Sequence, residues 1–132
     1  MKLYLASFIQ KRNFGPGRII SITNSGKPQD LNVESIFLPL TPPVELIQKY
    51  LKIKEIDLKS AGNFFVEIYQ SQLDTFVAQV YKVVNETNQT VEEILPFKEG
   101  DTLCSWERKE YTHYRGAVAL CLERLGYIVV LN

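Results

Sequence analysis

Residues 102–131 constrain the fold more than any other part of the chain. Thr102 to Trp106 is a strand-like run. Thr112 to Leu125 places Tyr114, Val118, Cys121, Leu122 and Leu125 on one helical stripe, and Gly126 supplies a stop signal. Tyr127-Ile-Val-Val-Leu131 is then an uninterrupted apolar strand of the kind buried on both faces. Strand, helix and strand at this spacing predict a parallel pair joined by a right-handed crossover. A chain with such a unit must cover a sheet with helices, which places it in the α/β class.

The remaining segments fit that class. Lys2 to Ile9 reads as a first strand and Arg18 to Thr23 as a second, rich in β-branched residues. Gly15-Pro16-Gly17 between them is a turn signal and predicts a hairpin, hence an antiparallel start to an otherwise mostly parallel sheet. Val33 to Leu38 is a short third strand. Thr41 is the expected N-cap of a helix over Val44 to Leu51, and Asp57 or Ser60 opens the next helical region. From Phe65 through Ile68, Tyr69, Leu73, Phe76, Val80 and Val84, apolar residues recur at three- and four-residue steps, with Asp74-Thr75 as a break into two helices. The expectation is a single small α/β domain over 1–132, with helices packed on a mostly parallel sheet.

Size and composition agree. A chain of 132 residues buries roughly 65–70% of its unfolded surface and needs no staple. The two cysteines, in a chain that does not start like a secreted one, read as free thiols in a reducing, cytoplasmic setting. No apolar run approaches the ~18 residues of a membrane span, so no membrane partner is expected. Fifteen Lys+Arg against fifteen Asp+Glu leave no basic excess; nonspecific nucleic-acid binding, which depends on counterion release, is disfavoured. One histidine and two distant cysteines cannot form a tetrahedral zinc set, and no Walker, dinucleotide or Gly-x-Ser-x-Gly pattern is present. No metal or cofactor is expected.

Candidate chemistry gathers where the strand 102–106 gives way to the helix after it. Cys104 at a strand end, near Arg108 and a helix start, is placed for a lowered pKa and a reactive thiolate; the bland alternative is a small buried side chain. Glu107 is either a general acid/base or an ion-pair partner of Arg108 or Arg115. His113 is the chain's one imidazole, so any imidazole chemistry must use it. Arg115 in a first helical turn adds a planar fork of donors to exposed backbone N–H groups, which suits phosphate or carboxylate. Trp106 is placed to stack on a base. Asn24, in Thr23-Asn24-Ser25-Gly26, offers hydrogen bonds after the second strand. Arg12 and Arg18, with Lys11, flank the Gly-Pro-Gly turn and favour an anion. Cys121 lies mid-helix on the apolar stripe and reads as structural.

Over most of its length the chain resembles the short members of the domain of unknown function 488 family. The likeness runs through Tyr4-Leu-Ala-Ser7-Phe8, Ile20-Ser21-Ile22, Leu38-Pro-Leu-Thr-Pro-Pro43, Tyr69-Gln-Ser-Gln-Leu73, and Leu103-Cys104-Ser-Trp-Glu107 with Arg115. The resemblance implies an α/β protein with a cysteine and a glutamate at a strand end and a Cys-His-Arg triplet opening the next helix, and it implies no established activity. Cys104 and Glu107 match the first element; at the second this chain has His113-Tyr114-Arg115 and retains the arginine alone. Ser7, in the matching start, joins the ligand-binding set.

The function expected is binding of a small anionic molecule, nucleotide-like or phosphorylated, at the strand C-terminal ends by Arg115, Arg108, Trp106, Ser7, Asn24, Arg12 and Arg18. One alternative is an enzyme using Cys104 as nucleophile with Glu107 or His113 as proton carrier. Another is a protein-interaction or virus-encoded inhibitory module. A homodimer is an open option.

Overall fold

The structure, a computed structural model, describes residues 1–106 and 112–131, with the backbone alone at 112 and 113. Five strands form one parallel sheet: β1 (Lys2–Ser7), β2 (Ile19–Ser21), β3 (Val33–Ile36), β4 (Thr102–Ser105) and β5 (Ile128–Leu131), in the order β3-β2-β4-β1-β5. Four helices accompany them: α1 (Val44–Lys54), α2 (Leu58–Thr87), α3 (Val91–Ile94) and α4 (Thr112–Arg124). The α/β class is as the sequence predicts, and every strand pair is parallel. No helix among the described residues is long and apolar enough to cross a membrane.

The expected antiparallel start is absent. β1 and β2 do not pair; β4 lies between them and is parallel to both. The segment between β1 and β2 instead runs back over one face of the sheet. The Gly15 N–H donates to Thr102 Oγ1 at 2.8 Å, and the Gly17 N–H to the Gly100 carbonyl at 3.0 Å. A Cβ on Gly15 would lie 2.3 Å from the Tyr4 ring, and one on Gly17 2.8 Å from the Gly100 carbonyl carbon. The glycines allow backbone to rest on the sheet; they do not make a hairpin.

The opposite face carries the helices. Leu3, Leu5, Ile20, Ile22 and Leu103 alternate along their strands into a core shared with Leu73, Phe76, Val80, Val118 and Leu122. Apolar residues every three or four positions keep α2 helical for 30 residues without the expected break. Asp74 sits on its exposed side, bonded by Gln70 and Arg124. The Asp57 carboxylate caps α2 by accepting from the Lys59 N–H. Thr41 does not cap α1: its hydroxyl donates to the Phe37 carbonyl, and Pro43 holds the cap position. A 3-10 turn at Leu38–Leu40 cuts the third strand short at Ile36.

The last strand differs most from expectation. Among the described residues β5 pairs only with β1 and is an edge strand, with Ile128 62% and Leu131 46% exposed. α4 carries the chain from β4 past β1, so the predicted crossover exists but skips a strand.

At the N-terminal end of the sheet, Asp101 is 1% exposed and accepts from the Arg18 backbone N–H at 3.0 Å, the Arg18 guanidinium at 2.6 and 3.2 Å and the Lys98 N–H at 2.8 Å. This cluster joins the start of β2 to the start of β4.

Candidate ligand pocket at the C-terminal ends of the strands

The site begins with strand parity. Leu103 and Leu5 point to the helices, so Ser105 and Ser7, two residues on, do the same at the C-terminal edge. Cys104 and Ala6 point to the other face. Beyond Ser105, a pocket of about 290 Å³ opens between the loop after β2, the start of α1, α2 and the start of α4. Its apolar walls are Pro42, Val44, Ile47, Leu51, Phe65, Trp106 and the ring of Tyr114; Thr23, Asn24, Ser25, Gln48 and Ser105 supply polar groups.

Hydrogen bonds hold these walls. The Ser21 hydroxyl donates to the Thr23 carbonyl at 3.0 Å and accepts from the Thr23 N–H at 3.2 Å, while Thr23 Oγ1 accepts from the Ser25 N–H. The Trp106 indole N–H donates to the Gly26 carbonyl at 2.9 Å, and its ring packs on Phe8 at 5.1 Å. The Tyr114 hydroxyl donates to the carbonyl of Ile22 and reaches that of Leu40 at 3.3 Å. Tyr69 donates to the same Leu40 carbonyl. Burial pushes both phenols well above their ordinary pKa, so both remain donors at neutral pH.

Trp106 and Asn24, predicted from the sequence, line this pocket. Ser7 does not: it is fully buried beside it, and its Oγ accepts from the Ile9 N–H at 3.3 Å. Arg115 is half-buried at the same end of the sheet and donates to Gln10 Oε1 at 3.1 Å, outside the lining. Arg12 is exposed in a 3-10 turn at Lys11–Asn13. Arg18 is a correction: its guanidinium is committed to Asp101 at the opposite end of the strands, so it cannot serve a ligand at the C-terminal edge. Glu107 and Arg108 lie outside the described residues, as does the side chain of His113.

Cys104 also departs from expectation. It is 0% exposed and lies on the sheet face away from the pocket. Burial pushes its thiol up to about 12, and the charge of Arg115 lowers it only partly. The expected depressed pKa is therefore reversed, because removal from water outweighs one nearby cation. Cys121, buried on α4, is pushed up to about 11 for the same reason. Both thiols are free. Native protein at pH 8 should accordingly resist a maleimide at both cysteines and label fully once denatured. Rapid native labelling at Cys104 would show an open, ionisable thiol.

The sequence reading missed Ser105, Phe65, Tyr114 and the α1 residues as site members. Phe65 and Tyr114 carried only the signal of a core stripe, since an aromatic wall of a pocket has the same spacing as an aromatic core. No family model, curated protein or solved structure matches the chain.

Proposed function

We propose that this chain binds a small, nucleotide-like anionic molecule at the C-terminal ends of β2 and β4, with the ligand's ring in the pocket lined by Phe65, Trp106 and Tyr114. The observation that carries the reading is the pocket itself, lined by three aromatic residues, polar along Thr23-Asn24-Ser25, and set where open parallel sheets place their ligands. Preference for an anion is supported by two helix starts. Val44, the first residue of α1, and Tyr114, in the first turn of α4, both line the pocket, so two positive dipole ends adjoin it. No described lining residue carries a charged side chain. The likeness to the domain of unknown function 488 family is held as part of this proposal, on the residues quoted for it, and names no ligand. Catalysis through Cys104 is not part of it, because the thiol is closed off on the other face.

A thermal-shift panel of nucleotides, cyclic nucleotides and sugar phosphates tests the reading. A true ligand at about a hundred times its Kd adds roughly 2.7 kcal/mol of stability. Val44→Trp places a bulky ring at a half-exposed lining position; it should abolish the shift and leave the ligand-free protein within about 0.5 kcal/mol of wild type. A ligand that stabilises both proteins equally binds elsewhere and overturns the proposal.

A further inference from the structure

Two neutral amides enter the pocket from different walls. Asn24 stands on the loop after β2, and Gln48 on α1, one turn beyond Val44. Neither side chain has a partner among the described residues, although Thr23 Oγ1 beside Asn24 and the Gln72 amide on α2 are engaged. Each amide offers donors and an acceptor in one plane. Phe65, Trp106 and Tyr114 line the same pocket.

We infer that the pocket recognises the nucleobase of its ligand, an uncharged nitrogen heterocycle read at its edge by Asn24 and Gln48, and that the base contributes more to affinity than the phosphate drawn by the two helix starts. The inference rests on the proposed pocket reading and goes further by saying which part of the ligand is selected. Three features carry it. The described lining combines aromatic and aliphatic side chains with two amides, which matches a heterocycle. A volume of about 290 Å³ lies at the lower end of ligand pockets, ~300–1,000 Å³, and so has room for one ring system, with sugar and phosphate left at the mouth. Both amides are solvent-exposed on backbone with ordinary φ, so they are available to a ligand and are not needed by the fold.

The test is calorimetric titration of the whole chain with adenosine, guanosine, cytidine, uridine, their 5′-monophosphates and ribose 5-phosphate. Wild type is compared with Asn24→Ala, Gln48→Ala and the double variant. At least one nucleoside should bind, its monophosphate should bind within about fivefold of it, as a solvent-exposed charge dictates, and ribose 5-phosphate should not bind. Each alanine should weaken the nucleoside by about tenfold, the loss of a net hydrogen bond. Unchanged affinity in the double variant, binding of ribose 5-phosphate, or affinity that depends on the phosphate would overturn the base-recognition inference and leave the pocket reading standing. Absence of binding by every compound would overturn both.

Discussion

Asp101→Ala is expected to destabilise the protein by about 3 kcal/mol, the low end of the cost of breaking a buried charge pair. Asp101 is almost wholly enclosed, whereas the Arg18 side chain is 30% exposed and can recover some hydration. Removing the carboxylate also strands the backbone N–H groups of Arg18 and Lys98, which point at it from two segments. Asp101→Asn keeps one acceptor and should cost less. The pH dependence follows from the native environment of the carboxyl. Burial pushes its pKa up, but the Arg18 guanidinium, the Lys98 and Arg18 N–H groups and the Arg18 charge together hold it below the ordinary carboxylate value. A depressed native pKa stabilises the fold fully above the unfolded value near 3.9, and this contribution disappears as pH falls through the native value. Chemical denaturation at pH 7 and at pH 3 should show the gap between wild type and Asp101→Ala shrinking at the lower pH. Asp57 and Asp74 also have lowered values, but they are exposed. A gap independent of pH would show that the ion pair is not what Asp101 contributes.

Tyr114→Ala is expected to cost about 4 kcal/mol, in the range for a large aromatic cut to alanine in a core. The ring is 6% exposed and packs on Tyr69 at 4.9 Å and Phe65 at 6.3 Å. Its hydroxyl fastens the carbonyls of Ile22 and Leu40, which lead into two walls of the pocket. Tyr114→Phe separates the two contributions. It keeps the packing, removes the donor and leaves the Ile22 carbonyl short of its partner, for about 1–2 kcal/mol. The Leu40 carbonyl is still served by Tyr69. If the phenol serves only the core, Tyr114→Phe will bind ligand like wild type. If it also sets the loop after β2, affinity should fall with Tyr114→Phe even where the protein is fully folded.

The local pattern determined the elements whose spacing is their cause. The apolar steps from Ala61 to Val80 make α2 whatever surrounds it, and Asp57 caps it through its own neighbour. Gly126, at φ 96°, ends α4 where a side chain would be strained. A strand, a helix and a strand over 102–131 were legible for the same reason. Trp106 and Asn24, candidates on the sequence, line the pocket at the strand ends. The brief α3 escaped notice although Thr90 and Glu93 form a capping box around it.

Tertiary structure decided what depends on partners distant in sequence. An apolar β-branched run suits a central or an edge strand equally, so nothing in Ile128–Leu131 says that β1 would take the slot beside β4. Alternation separates Cys104 from Leu103 and Ser105, but not which face the helices cover, and that choice closed off the thiol and opened the pocket. Arg18 and Gly15 looked like parts of an anion loop. Their roles come from Asp101 and Thr102, 83 and 87 residues away. Periodicity reports which side of an element is buried; what it is buried against is set by strand order and crossovers, which no local window contains.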